Sequence, residues 1–400
     1  MTRFHHPALR LASAVLFLLV SEAASIAQEP ATSTTEQNAG QEEKPDAPVP
    51  FLPPWAKRRL SGILQADGPP HGFMPAFGDI KRGSGFAPGA GYAHPLSARG
   101  VIVLKGAYSI NNYKMVQMAA QYAPLDARRL ILRGRARWQD APSVRLYALG
   151  SESPDFRTGY AETKTEVSGE AAWTPFPLLR FLAGLGLEQF DTGLAHDADA
   201  AGALLFASMP GAGADPRYLH GQASVAVDSR ESPGYSRRGS LLSVTLHNYH
   251  QTSGGPYGFQ RADAVGEQYI PIVPNHSAVF LGLHVATTMV DSNHAVPFFL
   301  LPDLGGHDLR AFSDYRYRDR HSINWTAEYR WFALEFLDAA IFYDAGKAVA
   351  TRNSLGFTGL SSSIGGGVRV HGPRTTFLRL ELARGREGVR FVIAFSPVGQ

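Results

Sequence analysis

The sequence predicts an all-β protein: a single antiparallel β-barrel that crosses a membrane, preceded by a disordered N-terminal linker. Three observations carry that prediction. From about residue 85 onward, segments of about ten residues alternate apolar and polar side chains with period two, between breaks rich in Gly, Pro, Asp, Asn and Ser. Charged residues are only 18% of the 400, against about 25% in ordinary soluble domains, while 41 Gly, 23 Phe and 15 Tyr favour turns and sheet. No apolar run of 18 residues occurs beyond the N-terminus, which excludes a bundle of membrane-spanning helices. The absence of cysteine also excludes disulfides, thiolate zinc sites, iron–sulfur clusters and cysteine nucleophiles.

Residues 1–27 carry Arg3 and Arg10, then the apolar run Leu11 to Val20, then small residues at Ser25 and Ala27, the pattern of a cleaved secretory signal. A ten-residue core is too short to span a bilayer, which takes about 20. Residues 28–50 hold Glu29, Glu36, Glu42, Glu43 and Asp46 against Lys44, with no aromatic, too polar to build a core; they read as a disordered linker. Residues 51–84, with Pro53, Pro54, Pro69, Pro70 and Pro75, read as an irregular lead-in, and 85–400 as the barrel. Three of the 38 basic and six of the 35 acidic residues fall in the first fifty, so the body carries about +6. No Lys/Arg run reaches the length of a nucleic-acid patch, and a basic lumen accounts for the excess.

Within the body, Leu242, Val244 and Leu246 alternate with Ser243, Thr245 and His247, and Leu378, Leu380 and Leu382 with Arg379 and Glu381. Arg133, Arg135 and Arg137 share one strand side, opposite Leu132, Gly134, Ala136 and Trp138; ordinary solvation in the lumen is expected for them rather than a substrate track. Aromatic residues such as Tyr92, Tyr108, Trp173, Tyr249, Trp331 and Tyr343 fall where girdles would lie. A membrane barrel puts the apolar face toward lipid, and because no open strand edge can face hydrocarbon the sheet must close. A body of about 315 residues holds about 14 to 18 strands with turns.

The stretch 297–346 holds Leu309-Arg310-Ala311-Phe312 and, further on, Phe342-Tyr343-Asp344-Ala345-Gly346. With Glu328-Tyr329-Arg330, Asp228-Ser229-Arg230 followed by Gly239, and Gly365-Gly366-Gly367-Val368-Arg369, it resembles the bacterial surface-antigen barrels of the BamA/TamA superfamily, in order and spacing from about residue 85 to 395. The resemblance implies sixteen strands in the outer membrane of a Gram-negative bacterium. It also implies a lumenal loop whose tip, Leu309 to Phe312, is held by the inner-wall residues Glu328, Asp344, Gly346 and Arg369. Parity agrees, since Glu328 and Arg330 fall opposite Trp325, Tyr329 and Trp331, and Asp344 opposite Ile341 and Tyr343. Phe391, Ile393 and Phe395 alternate as a C-terminal strand signal should.

Two departures qualify this resemblance. Ala311 stands where the family places Gly, which predicts a looser or different docking of the loop. The stretch between signal and first strand is too short for a periplasmic POTRA domain, so a barrel lacking POTRA domains is expected, with a separate periplasmic partner supplying their function. The implied role is insertion or translocation of an unidentified client protein or lipid, in contact with outer-membrane lipids. The alternative is a passive porin-like channel or structural surface protein. No Gly-x-Ser-x-Gly, His-Glu-x-x-His or phosphate loop occurs, and His247 and His250 fall on opposite strand faces. No catalytic residue, metal, cofactor or nucleic-acid partner is therefore expected.

Overall fold

The structure, a computed structural model, describes residues 71–78, 80–124, 129–372 and 375–395. The expected signal (1–27), the linker (28–50) and residues 51–70 of the lead-in lie outside the described residues, as does the side chain of Phe395. Sixteen strands form one sheet, hydrogen-bonded to one another in chain order and antiparallel throughout, the number implied by the family resemblance. They are β1 (Gly72–Gly78), β2 (Ala87–Ser97), β3 (Gly100–Tyr108), β4 (Lys114–Tyr122), β5 (Leu130–Tyr147), β6 (Arg157–Phe176), β7 (Leu179–Leu194), β8 (Arg217–Asp228), β9 (Gly239–Gln251), β10 (Phe259–Val273) and β11 (Ser277–Met289), then β14 (His321–Leu334), β15 (Leu337–Val349), β16 (Ser361–His371), β17 (Thr376–Gly385) and β18 (Gly388–Phe395). The loop from β11 to β14 carries a two-residue antiparallel pair of its own, β12 (Asp303–Leu304) with β13 (Tyr317–Arg318). A helix, α1 (Ala200–Ala207), lies between β7 and β8, its first turn capped by Asp199 accepting from the Gly202 amide at 2.7 Å.

The sheet begins earlier than the expected residue 85. Strand β1 falls within the stretch read as irregular, where Pro75 masked the strand pattern. A proline lacks the ladder donor and is tolerated in a strand that is bonded on one side only. Among the described residues, strand β1 pairs with β2 alone, and β18 with β17 alone. These two edge strands approach to within 8 Å between Cα atoms, but no ladder joins them among the described residues.

Alternation along each strand produces an inverted distribution of polarity. On β7, Leu185 and Leu187 are exposed while Glu188 is buried; on β18, Phe391 and Ile393 are exposed while Val392 and Ala394 are buried. Leu104, Val116, Met118, Leu246, Ile341, Ile364 and Leu382 extend this apolar exterior, whereas Glu162, Glu166, Glu328, Asp344 and Glu381 point inward. So large an apolar surface around a charged interior suits hydrocarbon rather than water outside. Among the described residues no helix is long and apolar enough to cross a membrane, so the spanning elements are strands.

The lumen is filled by the β11–β14 loop, which folds inward and buries two apolar clusters. In the first, Val296, Phe298, Leu301 and Tyr315 pack on Val144 and Leu146 of β5, Tyr160 of β6 and Phe259 of β10. In the second, Leu304, Leu309, Ala311, Phe312 and Tyr317 meet Phe342 and Ala348 of β15 and Ala383 of β17. Aromatic edges lock the first cluster, with the Phe298 ring 4.7 Å from that of Tyr160 and 5.9 Å from that of Phe206.

Candidate functional site

Arg310 sits at the tip of the lumenal loop and reaches carboxylates on three strands. Its Nε and Nη2 donate to the two oxygens of Asp344 on β15, at 2.9 and 2.7 Å, the forked geometry that guanidinium and carboxylate share. Its Nη1 donates to Glu328 on β14 at 3.0 Å and to Glu381 on β17 at 3.1 Å, and its backbone amide also donates to Asp344, at 3.2 Å. The guanidinium lies over the face of Phe342, 3.3 Å from the ring centre. Arg310 is 4% exposed and Asp344 not at all, so the whole cluster is shielded from water. Burial by itself would disfavour the charge on Arg310, but Asp344, Glu381 and Glu328 reverse this and hold the guanidinium charged above its ordinary range.

The carboxylates have further partners that keep the cluster balanced. Arg369 on β16 donates to Glu328 and, at 3.0 Å, to Glu381; Arg330 on β14 donates to Glu328. Asp344 accepts from Thr326 at 3.0 Å and from Ser363 at 2.9 Å. Three carboxylates thus face three arginines, with β14, β15, β16 and β17 and the loop all contributing.

The structure brings together the residues singled out in the sequence and assigns each a place. Leu309 and Phe312, fully buried, press into the second apolar cluster on either side of the arginine. A Cβ on Gly346 would stand 2.8 Å from the Ile323 carbonyl and 3.1 Å from Leu304 of the loop, so the bare backbone lets the loop approach β15. Ala311 is buried rather than loosely held. Space for its methyl comes from Gly385, where an added Cβ would lie 2.9 Å from that of Ala311. Phe391 and Ile393 face outward on β18. In the Asp228-Ser229-Arg230 turn, Arg230 grips Asp228 at 2.9 Å and Glu267 at 2.8 Å, and Gly239 has φ +98 with no room for a Cβ beside the Ser229 carbonyl.

Other residues were not legible. Glu381 shows in the sequence only as one polar position of an alternating strand. The arginine trio is paired rather than simply solvated: Arg133 binds Glu170 at 2.7 Å, Arg135 binds Glu166 at 3.0 Å, and Arg137 donates to the Ile80 carbonyl at 2.7 Å. Across the wall, Glu188, His220 and His247 form a hydrogen-bonded row on β7, β8 and β9, with spacings of 2.9 and 3.0 Å; Asp263 on β10 and His284 on β11 continue it. His250 has no part in that row. Among the described residues no group of three His, Asp or Glu side chains is arranged to hold a metal ion.

An apolar exterior, a sixteen-stranded antiparallel sheet and a lumenal loop pinned by a buried arginine define the class: a membrane β-barrel with an internal plug. The Omp85 superfamily domain matches residues 187–391, just over half of the chain, and the protein belongs to that superfamily of outer-membrane barrels. Among solved structures it is similar to BamA from Haemophilus ducreyi lacking POTRA domains 1–3, at 12% identity and TM-score 0.61, over 81% of this chain and 69% of that one. CdiB from Acinetobacter baumannii aligns at 12% identity and TM-score 0.50, and CdiB from Escherichia coli at 9% and 0.53. Each CdiB alignment covers 81% of this chain but only 58% and 60% of the respective CdiB, so the protein spans about six-tenths of their length. At such identities the likeness establishes the fold. Comparison with curated proteins finds no match.

Proposed function

We propose that the protein inserts or translocates a client, a protein or a lipid, at the outer membrane, and that the junction of β1 and β18 is its working edge. One observation carries this reading: among the described residues every other neighbouring pair in the sheet is laddered, whereas β1 and β18 lie side by side with no ladder between them. An unpaired strand edge is a template for another chain and is unstable against hydrocarbon, so this junction is where the barrel can part. The superfamily assignment supports the same role. In this reading the N-terminal signal is cleaved, a periplasmic partner delivers the client, and the Arg310 cluster anchors the loop rather than catalysing a reaction.

The test is quantitative proteomics of outer membranes from a strain lacking the gene, against its parent and a complemented strain. Selective loss of one or a few outer-membrane or surface components is expected and would identify clients. An unchanged inventory, together with a steady ionic current through the reconstituted protein, would instead make it a porin-like channel.

A further inference from the structure

Arg310, Arg316, Arg330 and Arg369 are all paired with acids. Two arginines at the loop-side rim of the sheet are not. Arg320 closes the lumenal loop immediately before β14, and Arg352 stands in a single 3₁₀ turn (Arg352–Ser354) that follows β15. Both are exposed, and among the described residues neither guanidinium has a hydrogen bond or an ion pair. Backbone bonds fix where they stand. The Arg320 amide donates to Asp319 at 2.8 Å, and the Arg320 carbonyl accepts from the amide and the hydroxyl of Thr288 on β11, at 3.0 and 2.9 Å. The Ser354 amide donates to the Thr351 carbonyl at 3.1 Å and their hydroxyls meet at 2.8 Å, which closes the turn that presents Arg352.

The two arginines line one cleft of about 390 Å³ with His321, Thr351, Asn353 and the apolar Met289. No acid is among its described lining residues; Asp319, next to Arg320 in the chain, is buried and does not line it. His321 is 2% exposed, its Nδ1 lies 2.6 Å from the Thr287 hydroxyl, and its Nε2 has no hydrogen-bond partner among the described residues. With the hydroxyl donating to Nδ1, Nε2 carries the proton and is a donor. Buried polar groups are ordinarily partnered, so a buried ring N–H and two unpaired guanidiniums around one recess call for an anion that accepts from all three. The height of the cleft is equally informative. Trp331 is exposed on the outward face of β14, and His321 shares that face ten residues away. Ten residues extend about 33 Å along a strand, and a tilt of about 35–45° turns this into about 25 Å across the membrane, the height of a barrel's apolar band. Trp331 thus stands in the girdle on the side of the chain ends, and His321 at the opposite edge of the band, where headgroups lie. On β11 the exposed Leu281, Leu283 and Met289 share the outward face and lead from the band to the cleft. An apolar column ending at a cationic recess suits an amphiphile rather than a free ion.

We infer that this cleft binds the phosphate headgroup of a lipid in the loop-side leaflet. Arg320 and Arg352 fork onto the phosphate oxygens, the geometry that suits a guanidinium to phosphate. His321 and Asn353 complete the donors, and the acyl chains lie along Met289, Leu283 and Leu281. Such a site is independent of the client role proposed above, since it holds lipid against the wall whether or not a client passes.

Native mass spectrometry of the full protein in detergent micelles tests the site with three probes: dioleoyl phosphatidic acid, dioleoylglycerol, which has the same chains without the phosphate, and inorganic phosphate. Phosphatidic acid is expected to stay bound and dioleoylglycerol to be lost, and inorganic phosphate at the same concentration should not displace the lipid. In Arg320→Gln/Arg352→Gln the affinity for phosphatidic acid is expected to fall at least about tenfold. Arg217→Gln, at another exposed arginine of the same rim, should leave it unchanged. Equal retention of dioleoylglycerol, undiminished binding by the double variant or an equal loss in Arg217→Gln overturns the site. Displacement by equimolar inorganic phosphate overturns the lipid assignment and makes the cleft a free-anion site. Should the double variant fail to fold, Arg352→Gln alone, in an exposed turn outside the strands, decides: a loss of about threefold is expected, and unchanged affinity overturns the site.

Discussion

Without the guanidinium of Arg310, Asp344, Glu328 and Glu381 would face one another with one cation fewer, leaving Arg369 and Arg330 as their ion-paired arginines. Breaking a buried ion cluster by removing one partner costs about 3–5 kcal/mol, because the charges left behind remain desolvated. Arg310→Ala is therefore expected to lower the temperature at which the folded, fast-migrating form is lost in a heated-gel assay. Arg310→Lys should recover only part of that loss, since an ammonium cannot fork onto both oxygens of Asp344. Equal behaviour of parent and both variants would contradict an anchoring role. At this scale the sequence was informative about some partners and silent about others. Glu328 and Asp344 could be assigned to the inner wall from parity. Glu381 could not be singled out, because nothing local distinguishes it from Arg379 two positions away. Arg82 lay in a proline- and glycine-rich stretch without period, and its partner Asp303 is 221 residues distant. Nor can residue spacing reveal a pair such as His220 and His247, which meet across neighbouring strands.

Individual strands follow from alternation where both faces are distinct. Strands β7, β9, β11 and β17 have exposed apolar and inward polar positions as the pattern requires. Strand β1 was missed because it is seven residues long, holds Pro75 and begins and ends in glycine. Those same features make it a weak edge: glycine and proline both lower strand stability, and among the described residues one side of its backbone has no ladder. The anchored strands are the opposite case, since β14, β15 and β16 are bonded on both sides and pinned by the arginine cluster. Amide hydrogen exchange in detergent or lipid should reflect this difference. Peptides covering 72–78 and 388–395 are expected to exchange at least about tenfold faster than peptides from β14 and β15. Matching protection across the four strands would mean that the junction is as firmly closed as the rest of the sheet. The lumenal loop was legible as an element through its motif, but its depth of burial was not. Ala311 suggested loose docking, and only the structure shows Gly385 making room for the methyl.

Taken as one object, the protein is a membrane barrel whose interior is occupied by its own loop and whose strands, among the described residues, are laddered to their neighbours except where β1 meets β18. Fold class and strand number follow from period, length and family resemblance. The unbonded junction could not be read from sequence, because strand pairing between the two ends of a chain leaves no local signature. A plugged lumen and an unladdered edge direct attention to the edge as the route for a client. The most direct test is to lock it. Single cysteine pairs placed between 72–78 and 388–394, in a chain that otherwise has none, can be oxidised across the junction in cells and reduced again. If β1 and β18 must part, the locked barrel should deplete the same outer-membrane components as loss of the gene, and reductant should restore them. A barrel that is fully locked yet leaves every one of those components at its normal level would contradict the account.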